Sequence, residues 1–433
     1  MIVAFVLIII GILLYFNKYK TYFYIYQLYL LFVFKFALTY IGISAPPAIN
    51  YTVMILMSFA ILPFFKKYAS FIFAYLAVFL VYLAFKYIWS GLPFFSSITT
   101  YILPFLLTLG ALSLYENNKK GRIIKSKLVN HIYVVFILQV VVCWIQYLFP
   151  SIGEAMFIES YEWRGITTVV KDFNTQDAIG YLNCGFMISN VTAALFYSFT
   201  AALLIMYESS TSKRITIKLA LILLAAVPVC IMTGVRAPLF ILLFILLVVV
   251  YKYERRYLGP SLLLLVGFYF LITRFMVAGD MSGLGRIQDG ITTLMSSGDE
   301  GVVGGSTFKL SVMLIPYFIQ NPIIGISLGD YKTPFGYSIG VNGFSTSDAQ
   351  LLYTLCEIGI IGLFIYLIPY LKYLKVLSYH KTKTGVYLLF GTVLLLSIVD
   401  LGVFLIDIAF VFVIGCLILS ESPKEKIIIQ NEK

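Results

Sequence analysis

Residues 213–256 read KRITIKLALILLAAVPVCIMTGVRAPLFILLFILLVVVYKYERR, and this stretch decides the architecture. Two apolar runs, 215–233 and 237–251, meet at the short turn Thr233-Gly234-Val235-Arg236-Ala237-Pro238. Bases stand at both far ends: Lys213, Arg214 and Lys218 at the first run, Lys252, Arg255 and Arg256 after the second. A helix crossing the hydrocarbon core needs about 20 predominantly apolar residues, with a range of about 17–25. Cytoplasmic loops are enriched in Lys and Arg near span ends. The stretch therefore reads as a membrane hairpin with both feet in the cytoplasm and an arginine at its outer tip.

The same texture runs outward through the chain. Of its 433 residues, 61% are hydrophobic and 12% charged, with a mean hydropathy of +0.96. Soluble domains are about 45–50% apolar and about 25% charged, so a soluble, secreted or disordered chain is excluded. The excess of 31 Lys+Arg over 20 Asp+Glu is +11. Its bases cluster at the ends of apolar runs, which speaks for membrane anchoring and against nucleic acid.

Further candidate spans lie at 2–16, 22–43, 48–65, 68–89, 94–115, 128–149, 186–207, 258–277 and 348–371. The block 385–420 is too long for one span and is expected to fold back near Asp400 and Gly402. The expected fold class is an all-α polytopic membrane protein with about 12–14 transmembrane helices. With about thirteen spans and the amino terminus outside, the clusters Lys18/Lys20, Lys66/Lys67, Lys119–Lys127 and Lys372–Lys383 all fall in the cytoplasm, as does the tail with Lys424 and Lys426. The first run, Ile2 to Phe16, has no base before it and no small-residue cleavage site, so a retained helix is expected rather than a signal peptide.

The chain then divides into 1–149, N-terminal transmembrane helices; 150–185, a first extracytoplasmic loop; 186–277, central transmembrane helices; 278–347, a second extracytoplasmic loop; and 348–433, C-terminal helices with a cytoplasmic tail. Acids predominate in both loops: Glu154, Glu159, Glu162, Asp172 and Asp177 in the first, Asp280, Asp289, Asp299, Glu300 and Asp330 in the second. Ser306 to Gln320 reads as an amphipathic helix too short to span, closed by Asn321-Pro322. It would lie at the membrane interface or pack on the bundle. Long loops without structure of their own are usually functional, which puts any chemistry outside.

Both histidines, His131 and His380, are expected in cytoplasmic loops, leaving none outside for general-base or metal work. The five cysteines have no paired spacing, so no metal site and no cofactor is expected. Arginines are more informative. Arg164, Arg236, Arg274 and Arg286 all fall on or near the outer face, against the positive-inside tendency. A guanidinium fork matches phosphate oxygens, and several together would suit a lipid-linked pyrophosphate. The alternative is an arginine snorkelling to lipid headgroups.

Asp348 opens the span after the second loop. It reads either as a first-turn acid favoured by the helix dipole, with Ser347 and Gln350 at capping-box spacing, or as a carboxylate that accepts a proton from a sugar hydroxyl. Glu357 lies inside that span, and Lys35, Lys86 and Asp407 inside others; intramembrane charges face a polar interior or a partner.

Four stretches in this order resemble the O-antigen polymerase and O-antigen ligase superfamily of bacterial surface-glycan assembly. They are Trp163-Arg164-Gly165-Ile166, the Thr233–Pro238 turn, Asn321-Pro322-Ile323-Ile324-Gly325-Ile326, and the Glu-x-Gly-x-x-Gly pattern at Glu357, Gly359 and Gly362. Where ligases of the superfamily have a histidine followed by Asn, Ser or Gln, this chain has Asp348-Ala349, which favours the polymerase branch.

The resemblance implies a GT-C-like bundle in the bacterial cytoplasmic (inner) membrane, acting at its outer face. The activity would be metal-independent transfer of a growing glycan from undecaprenyl pyrophosphate to an incoming lipid-linked repeat unit. Arg236 and Asp348 would be catalytic, while Arg164, Arg236, Arg274, Arg286 and Glu357 would bind substrate or pyrophosphate. The implied partners are undecaprenyl-pyrophosphate-linked oligosaccharides and membrane lipids, with room for a chain-length regulator. The alternatives are a ligase-type glycan transferase and, from another class, a flippase or transporter for lipid-linked glycans.

Overall fold

A computed structural model describes residues 2–40, 46–90, 98–149, 151–153, 185–186, 190–212, 217–233, 236–253, 321–325, 350–378, 389–392 and 406–420, with a few single positions besides. The described residues are helical, with turns between helices and no strand among them. Four helical stretches among them are long and apolar enough to cross a membrane: Thr21–Leu38, Ala48–Ile88, Lys125–Leu148 and Ile358–Leu377. Ile2–Tyr15, Ile217–Met232 and Ile406–Leu419 are shorter apolar helices.

In chain order the helices are α1 (Ile2–Tyr15), α2 (Thr21–Tyr29), a π-helical turn (Leu30–Phe34), α3 (Lys35–Tyr40), α4 (Pro46–Phe59), α5 (Phe65–Ser90), α6 (Ile98–Lys119) and α7 (Lys125–Leu148). Then follow α8 (Asn190–Ser212), α9 (Ile217–Met232), α10 (Arg236–Tyr253), α11 (Gln350–Ser378) and α12 (Ile406–Leu419). Several run past the apolar stretches into polar residues: α5 includes Lys66 and Lys67, α6 reaches Lys119, α7 begins at Lys125 and α11 extends to Ser378.

The chain forms two compact units, one of Met1–Leu14, Thr21–Val53 and Ile124–Gly305, the other of Tyr15–Lys20, Met54–Ile123 and Ser306–Lys433. In the first, α8 packs on α7, α9 and α10. Every residue from Ala193 to Met206 is buried, polar Ser198 and Thr200 included, as expected of a helix apolar on all sides. Near its far end Glu208 accepts from the Tyr133 hydroxyl at 2.8 Å and faces Lys218 at 3.7 Å.

In the second unit α6 packs on α11 and α12. Between α4 and α5 the chain turns through Ala60 to Phe64, where Pro63 has no N–H to continue the helix. The freed Ala60 carbonyl accepts from Tyr15 at 2.8 Å and Ser113 at 2.6 Å. The break thus falls earlier than the expected boundary between 48–65 and 68–89, because the proline, not the lysine pair, sets it. Beyond the turn, Glu116 accepts from Lys67 at 2.6 Å and from Tyr68 at 2.7 Å. The point where 385–420 was expected to fold back lies outside the described residues, with helical backbone at 389–392 and 406–419 on either side.

Candidate functional site

α11 is not continuous. At Gly359 the backbone takes φ 65° and ψ −177°, a conformation essentially restricted to glycine. A helix broken inside an apolar segment strips hydrogen bonds from backbone groups that have no water to replace them. Here three of the neighbouring groups find partners elsewhere in the chain. The Ile360 N–H donates to the Pro322 carbonyl at 2.9 Å, and the Ile361 N–H to the Ile323 carbonyl at 3.1 Å. The Tyr82 hydroxyl of α5 donates to the Ile358 carbonyl at 2.7 Å and lies 3.4 Å from that of Ile324.

The partner segment is a tight turn closed by the Gly325 N–H donating to the Asn321 carbonyl at 2.9 Å. Helical backbone at positions 315, 318 and 319 precedes it; the rest of the expected helix from Ser306 to Gln320 lies outside the described residues. A side chain at Gly359 would strike the Ile323 carbonyl, and one at Gly362 would strike the Tyr82 hydroxyl. The Asn-Pro-x-x-Gly and Glu-x-Gly-x-x-Gly stretches are therefore one backbone-paired junction. Glu357 stands on α11 just before the break, between the buried Cys356 and Ile358.

The first unit contains a second polar construction. Gln146 of α7 pairs with the backbone of Gly185 in both directions: its Nε2 donates to the Gly185 carbonyl at 2.9 Å, and its Oε1 accepts from the Gly185 N–H at 2.7 Å. Gln139, two turns earlier, accepts from the Phe186 N–H at 2.7 Å and donates through Nε2 to the Phe32 carbonyl. Phe32 lies in the π-helical turn, whose widened ring leaves backbone groups for such contacts. Tyr197 of α8 closes the set, donating to the Gln139 carbonyl at 2.9 Å. Gly185 has φ 61°, and a side chain there would meet Gln139 and Tyr197. The clamp fixes the far end of the expected first loop to the bundle.

Arg236 is the first residue of α10, reached from α9 through Thr233. The Thr233 N–H donates to Val229 at 3.1 Å and its Oγ1 to Cys230 at 2.7 Å, which ends α9. Pro238 fits the opening turn of α10, where no N–H is required. Helices stand on both sides of the expected turn, whose Gly234 and Val235 lie outside the described residues.

Arg164, Arg274, Arg286 and Asp348 lie outside the described residues, as does most of both expected loops. Arg236 and Glu357 belong to different units. His131 departs from expectation: it lies on α7 rather than in a loop, with Nδ1 3.1 Å from the Tyr29 hydroxyl. Position 131 falls inside the apolar run 128–149 itself, and α7 starts three residues before that run. Lys35, Lys86 and Asp407 are all buried in helices.

Tyr82, Gln139 and Gln146 were not expected. The glutamines carried a signal, two polar residues on one face of the apolar run 128–149. Tyr82 carried none, being one of 33 tyrosines.

Comparison of the chain with family models, with curated proteins and with solved structures finds no match.

Proposed function

We propose that this protein is a polysaccharide polymerase of the O-antigen or capsule type. It transfers a growing glycan from undecaprenyl pyrophosphate to an incoming lipid-linked repeat unit at the outer face of a bacterial cytoplasmic membrane. The reading includes a GT-C-like bundle of about 12–14 spans with the loops 150–185 and 278–347 outside. The observation that carries it is the junction at Gly359. Two of the four stretches behind the resemblance, far apart in sequence, are joined there by direct backbone hydrogen bonds.

The leaving group is a pyrophosphate, so its departure calls for positive charge rather than a general acid. Arg236 begins α10, and a helix N-terminus carries partial positive charge suited to an anion. A guanidinium there adds a fork of donors for phosphate oxygens that gain charge as the glycosidic bond breaks. Arg164, Arg274 and Arg286 would hold further phosphates, Asp348 would orient or deprotonate the acceptor hydroxyl, and Glu357 would contribute to substrate binding.

Arg236→Ala is expected to abolish chain extension while the protein still accumulates in the membrane, read by electrophoresis of surface glycan. Polymer of normal length from that variant overturns the assignment. In a deletion strain the ladder is expected to collapse to a single repeat. Free lipid-linked polymer would indicate a ligase instead, and repeat units trapped on the cytoplasmic leaflet a flippase.

A further inference from the structure

Three turns of the second unit are knitted together: residues 16–20 after α1, 60–64 between α4 and α5, and 120–122 after α6. The Lys20 N–H donates to the Arg122 carbonyl at 3.0 Å. The Ala60 carbonyl accepts from Tyr15 and Ser113. The Lys120 ammonium lies 4.7 Å from the centre of the Phe64 ring, and the Phe16 ring 6.4 Å from that of Phe59. Lys20 itself is buried and donates to the Tyr15 and Asn17 carbonyls, at the end of α1.

Around this knot the described residues include six exposed bases: Lys18, Lys66, Lys67, Lys119, Lys120 and Arg122. Over residues 15–20 and 54–123 the sequence has one acid, Glu116. It is buried and taken up by Lys67 at 2.6 Å and Tyr68 at 2.7 Å. The other five exposed bases have no counter-charge within these segments. Phe16, Leu62 and Phe65, in or beside the first two turns, are exposed as well.

We propose that this knot of turns binds the headgroup of an anionic phospholipid, with Lys66, Lys120 and Arg122 holding the phosphate and Phe16, Leu62 and Phe65 meeting the acyl chains. Bases crowded without an acid repel one another, and a bound phosphate relieves the repulsion. Ammonium and guanidinium groups both donate to phosphate oxygens. The Phe64 ring holds the Lys120 ammonium in place, so less freedom is lost on binding. The exposed apolar side chains favour a lipid over a dissolved anion, because acyl chains cover them and a free phosphate leaves them bare. The site requires that the chain lie in a membrane and does not rest on the polymerase reading.

The native protein in a non-ionic detergent is titrated with phosphatidylglycerol and, separately, with phosphatidylcholine of the same acyl chains, and bound lipid is measured by native mass spectrometry. Phosphatidylglycerol should bind about tenfold or more tightly, and inorganic phosphate should not displace it. Equal affinity for the two lipids overturns the proposal, as does displacement by phosphate, which would mark a site for a dissolved anion. Lys66→Gln/Lys120→Gln/Arg122→Gln should weaken phosphatidylglycerol binding on the order of a hundredfold, at about fivefold per base. Lys66→Arg/Lys120→Arg should retain it, which separates lost charge from lost folding. Lys213→Gln/Arg214→Gln/Lys218→Gln removes the same charge from the other unit and should leave the affinity unchanged. An equal loss in both triple variants means that overall charge attracts the lipid and refutes the site. If the first triple variant accumulates poorly, its three single variants decide, each expected to lose about fivefold.

Discussion

Gly359 and Gln146 each hold a structure that no substitute reproduces. At Gly359 any side chain meets the Ile323 carbonyl and a backbone conformation unfavourable to L-residues. Gly359→Ala is therefore expected to destabilise by about 1–3 kcal/mol from strain alone, seen as a lower melting temperature in detergent. Gly362→Ala should also destabilise, since its Cβ would strike both the Tyr82 hydroxyl and the Ile358 Cβ. Gln146→Leu removes both partners of the Gly185 peptide groups and should cost about 1–3 kcal/mol for each buried group left unpaired. Gln146→Glu should fall short of recovery, because a carboxylate has no donor for the Gly185 carbonyl. Neither residue type announces such a role by itself.

The helices as elements were legible, and their interruptions were not. The expected runs 128–149, 215–233 and 237–251 match Lys125–Leu148, Ile217–Met232 and Arg236–Tyr253, because apolarity and length are local properties. The broken α11 depends on carbonyls supplied by Pro322 and Ile323, which no local pattern contains. Tyr82→Phe tests this element: it removes the donor to the Ile358 carbonyl and should cost about 1 kcal/mol, read by thermal unfolding, with the Asn321–Gly325 turn more exposed to protease. At α10, Arg236→Lys keeps the charge but loses the planar fork. Chain extension should fall in Arg236→Lys without vanishing, and full activity there would mean that charge alone suffices.

For the whole molecule, the basic clusters make a prediction about sidedness. Reporters fused after Arg122 and Arg256 should report the cytoplasm, and those fused after Arg164 and Asp299 the outside. An inverted result for any one of them would revise the order of spans and move the proposed site. The two buried glutamines and the Gly359 junction belong to separate units, so variants at Gln146 and Gly359 should add in their effects on stability. Unfolding measured by the melting of single and double variants checks this.

By itself the sequence determined which segments are apolar helices, among them the two that flank Gly234-Val235. Those outcomes follow from hydropathy and from the stereochemistry of Gly and Pro, which act over a few residues. The tertiary structure alone decided that α11 breaks at Gly359, that a π-helical turn at Leu30–Phe34 meets Gln139, and that Tyr82 belongs to the junction. Backbone polar groups in apolar surroundings must find partners, and in these three places the partner comes from a distant part of the chain.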